Sequence, residues 1–382
     1  MCFLSKYFFF LSKSFFFLQA GPVLPYDFLI MMHRCMSEPN IICGLYSLFT
    51  LSKIDLAHNI FIETASQIFT RSSLSMIHLE KKMADFNGNS SEQVRLLMWA
   101  VPRSVSTAFT KLMSFVSGDS IVLFEPYINA HWFGPEGVQD ATHQAIVTAL
   151  TEETANRTTI TGGRDPSEYT FGFVKEQLDD PYTGKKLVFC KDMAFTVVDK
   201  LEFLPKNYRH VFLIRHPLKV FASWKKLYQS LTPQEFELDE VAPVMFPPGF
   251  FFREMVELLE HVREVHDPKA IIIDADDLLS DPKGILSALF KEVGLPFDEK
   301  CLQWEAGESA AGQWLASNLL PKGNEVWGFY RRAMGSSSFG KPRALPDRSS
   351  LPGDVLRCTD ASMSYYNKMY AQRLTGKLYA HL

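Results

Sequence analysis

The chain has 382 residues, of which 47% are apolar and 21% charged, a balance that suits one large α/β domain or two smaller ones with a substantial core. A formal net charge of −4 leaves no basic excess, which argues against a dedicated nucleic-acid binder while remaining compatible with a local basic pocket. Cys2, Cys35, Cys43, Cys190, Cys301 and Cys358 form no C-x-x-C pair and the ten histidines are dispersed without H-E-x-x-H, so neither a zinc site nor a disulfide framework is expected.

The first eighteen residues carry seven phenylalanines, but Lys6 and Lys13 interrupt them, short of the roughly 20 apolar residues of a membrane span. A basic residue ahead of a short apolar block, with Ala20-Gly21 behind it, is compatible with a signal anchor over residues 1–20 and a secretory or Golgi location. The other reading is that residues 1–82 form an extension, disordered or outside the working protein, with a cytosolic start at Met83 and a cytoplasmic location. Membrane association is expected only if the N-terminal segment is a real anchor. The working domain is expected to span about residues 90–382.

Val94–Ala100 is a continuous apolar run ending in a turn signal, as expected of a central parallel strand. A helix is predicted over Thr107–Val116, a strand over Ile121–Phe124 and a helix over Val138–Glu153. Residues 157–184 are polar and turn-rich and predict a surface excursion or lid. Further strands are predicted at Leu187–Cys190, Val211–Ile214 and Ala270–Ile273, with helices at Pro217–Lys226, Phe251–His266 and Pro282–Val293. The proline-rich stretch 231–250 predicts an irregular flap. Strands alternating with helices of this length indicate an α/β architecture of three layers, α/β/α, with a mainly parallel central sheet.

In such sheets ligands bind beyond the carboxyl ends of the strands. The charged clusters fall there: Arg103 to Thr107, Glu125, Lys191-Asp192 and Arg215. In Pro102-Arg103-Ser104-Val105-Ser106-Thr107, a strand-to-helix turn exposes backbone N–H groups at a helix N-terminus, with hydroxyl donors and a guanidinium added. A helix cap and a phosphate cradle are both open readings of these six residues. The loop is not a Walker A motif, since G-x-x-x-x-G-K-[ST] is absent. In the second cluster, Arg215 ends a strand and Ser223 lies eight residues on; taken alone the pair reads first as a surface arginine and a solvent-facing serine, although both could reach one phosphate over the following helix start.

Together these clusters resemble the paired motifs of the sulfotransferases that use 3′-phosphoadenosine 5′-phosphosulfate (PAPS). The family's 5′-phosphosulfate loop, Pro-Lys/Arg-Ser-Gly-Thr-Thr, corresponds to Pro102–Thr107, and its 3′-phosphate motif to Arg215 and Ser223. Lys191 matches the basic residue that ends the family's central strand. Residues 271–295 are similar to its later strand and Asp-Pro segment, and Gly335–Gly340 to a serine/glycine loop that closes over the nucleotide in some members. The resemblance implies a P-loop NTPase-like sulfotransferase fold over about residues 94–340.

It further implies PAPS as co-substrate, no metal, and metal-independent in-line transfer to a hydroxyl or amine of a small-molecule, carbohydrate or peptide acceptor. Ser104, Ser106 and Thr107, with Arg103, would hold the 5′-phosphate, Arg215 and Ser223 the 3′-phosphate, and Ser338 would lie in the closing loop. Arg103 and Lys191 would stabilise the leaving group. Met193 stands where the common cytosolic enzymes carry a catalytic histidine, so Glu125 is the expected base, with Asp192 and His131 weaker candidates and Tyr127, His131, Trp132 and Phe133 expected in the acceptor pocket. Val105 replaces the family's glycine, so the loop is expected to avoid a left-handed backbone there. The alternatives are an ATP-dependent small-molecule kinase and a catalytically degenerate nucleotide-binding protein.

Overall fold

The structure, a computed structural model, describes residues 93–139, 148, 152, 164–231, 235–240, 247–319, 324, 325 and 328–376. The expectations for residues 1–82, and most of the helix expected over Val138–Glu153, lie outside the described residues.

Six strands form the sheet: β1 (Val94–Ala100), β2 (Ser120–Phe124), β3 (Leu187–Asp192), β4 (Arg209–Ile214), β5 (Ile271–Asp274) and β6 (Leu315–Ala316). Their order is β5-β4-β1-β3-β2-β6, and every neighbouring pair is parallel. The helices among the described residues are α1 (Ser106–Val116), α2 (Pro126–Trp132), α3 (Phe171–Asp179), α4 (Pro217–Leu231), α5 (Phe252–Val265), α6 (Ala275–Ser280), α7 (Pro282–Val293), α8 (Arg331–Met334) and α9 (Gly353–Tyr370).

Alternation along β1 separates two cores. Leu97, Trp99 and Val101 face one layer, where Phe171, Val220, Phe252 and Val355 bring in α3, α4, α5 and α9. Leu96, Met98 and Ala100 face the other, packed by Phe109 and Leu112 of α1 and Leu286 and Phe290 of α7. A strand covered on both faces is apolar over most of its length, which is why these strands read as near-continuous runs. Each buried Leu, Val or Phe contributes about 1.5–3 kcal/mol, and together they offset the entropy of ordering the chain.

The helix ends follow local rules. Asp281 Oδ1 accepts the Gly284 N–H at 2.8 Å, Pro282 occupies the first turn of α7, and Gly294 closes it at φ 78°. The stretch expected as a surface excursion departs from expectation. Within it Thr170 caps α3, which buries Phe171, Val174 and Leu178 against the sheet. The strand end also differs from expectation: β3 runs through Lys191 and Asp192, placing both inside the strand rather than after it. The two-residue edge strand β6 and the long helix α9 were not anticipated.

Lys111 of α1 is buried, and its ammonium donates to the carbonyls of Gly307 (2.9 Å), Met334 (2.6 Å) and Ser336 (3.0 Å). Three donors meet three acceptors, so the charge clasps the 307–336 segment onto the start of the sheet.

His210 on β4 is a core histidine. Its Nδ1 accepts the Trp99 indole N–H at 3.0 Å, its backbone N–H donates to Asp267, and burial lowers its pKa from 6.5 to about 3. The unfolded chain binds a proton there between pH 6.5 and 3 that the folded chain does not, so stability falls as pH drops through that window. The expected loss is about 1.4 kcal/mol per pH unit. Urea melts from pH 7 to pH 4 should show a shallower acid loss for His210→Gln, whose amide oxygen keeps an acceptor for Trp99; an unchanged slope would refute the assignment.

Candidate functional site

β1 and β4 are adjacent, yet the chain leaves them in opposite directions. From β1 it turns to α1 on one face of the sheet, and from β4 to α4 on the other. Such a divergence opens a crevice at the carboxyl ends of the strands, where ligands settle in open α/β sheets. The two loops at this crevice are those carrying Arg103 and Arg215.

Arg103 and Val105 both have φ 63°, and Val105 adopts a left-handed conformation (ψ 15°) at the start of α1. The expectation that valine would avoid this conformation is therefore corrected: the loop keeps the left-handed turn without glycine. A left-handed non-glycine residue costs roughly 1–2 kcal/mol, more for a β-branched one, and persists only where its surroundings over-determine it. Here they do. The Ser104 hydroxyl, fully buried, donates to the Val101 carbonyl at 2.6 Å; Phe109 N–H closes on the Val105 carbonyl at 3.1 Å; and Arg215 Nη1 donates to the Arg103 carbonyl at 2.7 Å.

None of the loop side chains caps α1. Ser104 is turned inward, whereas the Ser106 and Thr107 hydroxyls make no side-chain hydrogen bond among the described residues and lie at the helix N-terminus. Arg103 Nε donates to Ser223 Oγ at 3.1 Å and its Nη1 to the Phe329 carbonyl at 3.2 Å. The structure thus joins the two sequence clusters, more than a hundred residues apart, through Arg103, Arg215 and Ser223.

Positive charge is in excess here. Burial lowers the pKa of both Arg103 and Arg215, and Arg332 lowers both further. Asp276, 3.9 Å from Arg215 Nε, is engaged at its other oxygen by Lys219 at 2.6 Å. The buried Arg215 Nε has no hydrogen-bond partner among the described residues. A cluster of guanidiniums with an idle donor fits an anionic ligand. Ser338 stands apart from this cluster in its bonding: it is exposed and its backbone bridges to Gln303.

A second group forms where β2 meets β3. Their register sets Phe124 opposite Lys191, and Glu125 N–H continues the ladder by donating to the Lys191 carbonyl at 2.8 Å. Glu125 then turns left-handed (φ 56°, ψ 43°) ahead of Pro126, and its side chain makes no cap bond to α2. Instead its Oε1 is ion-paired with Lys191 Nζ, with side chains 6% and 1% exposed, and its Oε2 accepts the Tyr330 hydroxyl at 2.6 Å. Burial, then the adjacent carboxylate, hold the Tyr330 phenol well above its usual pKa, so it remains a donor.

The weaker base candidates are occupied otherwise. Asp192 is fully buried and accepts the backbone N–H of Tyr127 (2.6 Å) and of Met193 (2.8 Å), and burial pushes its pKa up to about 8. It fastens the start of α2 to the end of β3. His131 packs edge-on against Trp132 and Phe195, with ring centroids at 4.5 and 5.4 Å. Tyr127, expected in an acceptor pocket, is buried core with its hydroxyl on the Phe203 carbonyl at 2.7 Å. Phe133 closes α2 by donating its N–H to Asn129.

Three residues at this centre were not read from the sequence: Phe329, Tyr330 and Arg332. The signal available was the aromatic and basic run Phe329-Tyr330-Arg331-Arg332 behind Gly328. Among the described residues there is no group of three or more His, Cys, Asp or Glu side chains able to hold a metal ion, and no helix long and apolar enough to cross a membrane.

One comparison with known proteins agrees with the motif resemblance. A family model described as a sulfotransferase domain matches residues 265–372, a segment that holds Asp276, Tyr330 and Arg332 and neither phosphate motif. The branched-chain-amino-acid aminotransferase-like protein 2 of Arabidopsis thaliana is 28% identical over 213 residues, covering 55% of this chain and 31% of its own. The chain therefore spans less than a third of the length of that relative. Solved structures similar to it include a sulfotransferase domain from the curacin biosynthetic pathway (15% identity, 72% of this chain and 98% of that one, TM-score 0.35). Another is a sulfotransferase domain from the Synechococcus PCC 7002 olefin synthase (15% identity, 72% and 95%, TM-score 0.37).

Proposed function

We propose that this chain is a sulfotransferase that takes PAPS as donor and transfers its sulfuryl group to a hydroxyl or amine of a small-molecule, carbohydrate or peptide acceptor. The observation that carries the reading is the junction of the two loops: Arg215 on the Arg103 carbonyl, Arg103 on Ser223, and an idle Arg215 Nε inside a surplus of positive charge. One anion would use one loop; a doubly phosphorylated nucleotide engages both.

The donor, when bound, supplies a sulfuryl group on a good phosphate leaving group. The α1 N-terminus with Ser106 and Thr107 holds the 5′-phosphate, and Arg215 with Ser223 holds the 3′-phosphate. Ser104 acts through the loop, which its bond to Val101 keeps folded. Arg103 and Lys191 neutralise charge gathering on the leaving oxygen, as fixed cations do in phosphoryl transfer. Glu125 accepts the proton that the acceptor loses as the new S–O or S–N bond forms. Its Oε1 is bound to Lys191 at rest, so the lysine must turn toward the leaving group before the carboxylate can serve.

Thermal-shift titration tests the donor reading. Saturation at a hundredfold over Kd stabilises by about 2.7 kcal/mol, which for a domain of this size raises Tm by roughly 4–5 °C. That rise is expected with 3′,5′-ADP, with a smaller one from 5′-AMP. A rise with ATP and Mg²⁺ but none with 3′,5′-ADP would sink the proposal in favour of a kinase.

A further inference from the structure

We infer that Tyr330 is the positioning residue of the acid–base centre, holding the Glu125 carboxylate by Oε2 so that Oε1 can change partner. The inference rests on the reading of Glu125 as the base.

Glu125 is nearly enclosed, and the groups facing it are few. From β3 come the Lys191 ammonium, paired with Oε1, and the neighbouring Asp192 carboxylate and Cys190 thiol. From the segment ahead of α8 comes the Tyr330 hydroxyl on Oε2. Of the two groups bonded to the carboxylate, only the tyrosine is without another role in transfer. When Lys191 turns away, Oε1 is exchanged for the acceptor, and without Tyr330 the carboxylate would then be held at neither oxygen. The bond from Tyr330 to Oε2 restricts its rotation and leaves Oε1 as the open acceptor of the proton.

Tyr330 is itself held at two points besides its hydroxyl. Its backbone N–H donates to Asn324 Oδ1 at 2.9 Å, and its ring meets Phe124 edge-on at 5.3 Å. Beside it, the Phe329 carbonyl accepts Arg103 Nη1. Two consecutive residues therefore contact the candidate base and the phosphate loop. The arrangement places the hydroxyl by packing rather than by the carboxylate it serves, which is what a preorganised support requires.

A hydrogen bond donated to a carboxylate favours its charged form, so its loss is read in the acid limb of the pH profile. The comparison is wild type against Tyr330→Phe, with transfer from labelled PAPS to the best acceptor of a panel of phenol, aliphatic alcohol, amine and monosaccharide. Expected are a kcat lowered about 10- to 100-fold, an unchanged KM for PAPS, an unchanged thermal shift with 3′,5′-ADP, and an acid limb of kcat displaced upward by about one pH unit. Replacing Tyr330 by 3-fluorotyrosine keeps the shape and strengthens the donor, so that limb should move downward while kcat stays near wild type. This second substitution also carries the test if the phenylalanine variant does not fold. Wild-type kcat and pH profile in Tyr330→Phe, or an unmoved acid limb with fluorotyrosine, would overturn the role of Tyr330. A wild-type protein inert toward the whole panel would instead overturn the proposed function.

Discussion

Lys191→Met is expected to lower sulfuryl transfer at least 10³-fold and to destabilise the fold by about 3–5 kcal/mol, because it strands the Glu125 carboxylate in a nearly closed site. Those two losses have different origins, and a double variant separates them. In Lys191→Met with Glu125→Gln the buried charge is gone as well, so most of the stability should return, read as Tm or the urea midpoint. Activity should not return, since both the cation for the leaving group and the proton acceptor are missing. Glu125→Gln alone should fold, bind 3′,5′-ADP as the wild type does, and lose about 10²- to 10⁴-fold in kcat. Near-normal turnover in Glu125→Gln would remove it as the base, and a double variant as unstable as Lys191→Met would show that the ion pair is not what the site depends on.

Arg215→Ala should weaken 3′,5′-ADP by about 10- to 100-fold, the range of one or two charge-assisted hydrogen bonds lost. Two effects add. The guanidinium that would meet the 3′-phosphate disappears, and the left-handed Arg103 peptide loses the donor on its carbonyl. Binding of 5′-AMP, which has no 3′-phosphate, reports the second effect by itself and should fall less. Arg215→Lys keeps the charge but cannot span the carbonyl and an anion with one planar fork, so it should recover only part of the affinity. Isothermal titration of the two nucleotides against the three proteins gives the comparison directly. Equal affinity of wild type and Arg215→Ala for 3′,5′-ADP would exclude Arg215 from the nucleotide site.

The parts of the molecule that were legible in the sequence are those fixed by local chemistry. The central runs of the five longer strands are apolar because both faces are covered, and α7 is bracketed by an Asp-Pro start and a glycine end. The position of the Arg103 and Arg215 loops at the carboxyl ends of β1 and β4 was legible because each follows directly on an apolar run. What was hidden depends on long-range placement. The two residues of β6 carry no pattern of their own and pair only because β2 offers an edge. Helix α3 was masked by polar neighbours, although Phe171, Val174 and Leu178 repeat on one face. Val105 was misjudged because a valine in a left-handed turn is unfavourable alone and tolerable only with Arg215, Ser104 and Phe109 bonded around it. Tyr330 was invisible for a related reason: its role exists only opposite Glu125, 205 residues earlier.

That distance bears on the order in which the molecule comes together. The Lys111 clasp on Met334 spans 223 residues, and the bond from Tyr330 to Glu125 is nearly as long. Closing loops of this size is entropically late and slow compared with forming neighbouring strand–helix units. During synthesis the pairing of β1, β3 and β4 is available long before residues 324–336 emerge. A chain at that stage has its sheet and both anion motifs but neither Tyr330 on the carboxylate nor a closed lysine clasp. On the proposed roles of Glu125 and Tyr330, competence for chemistry would then be acquired late in folding, after the sheet has paired.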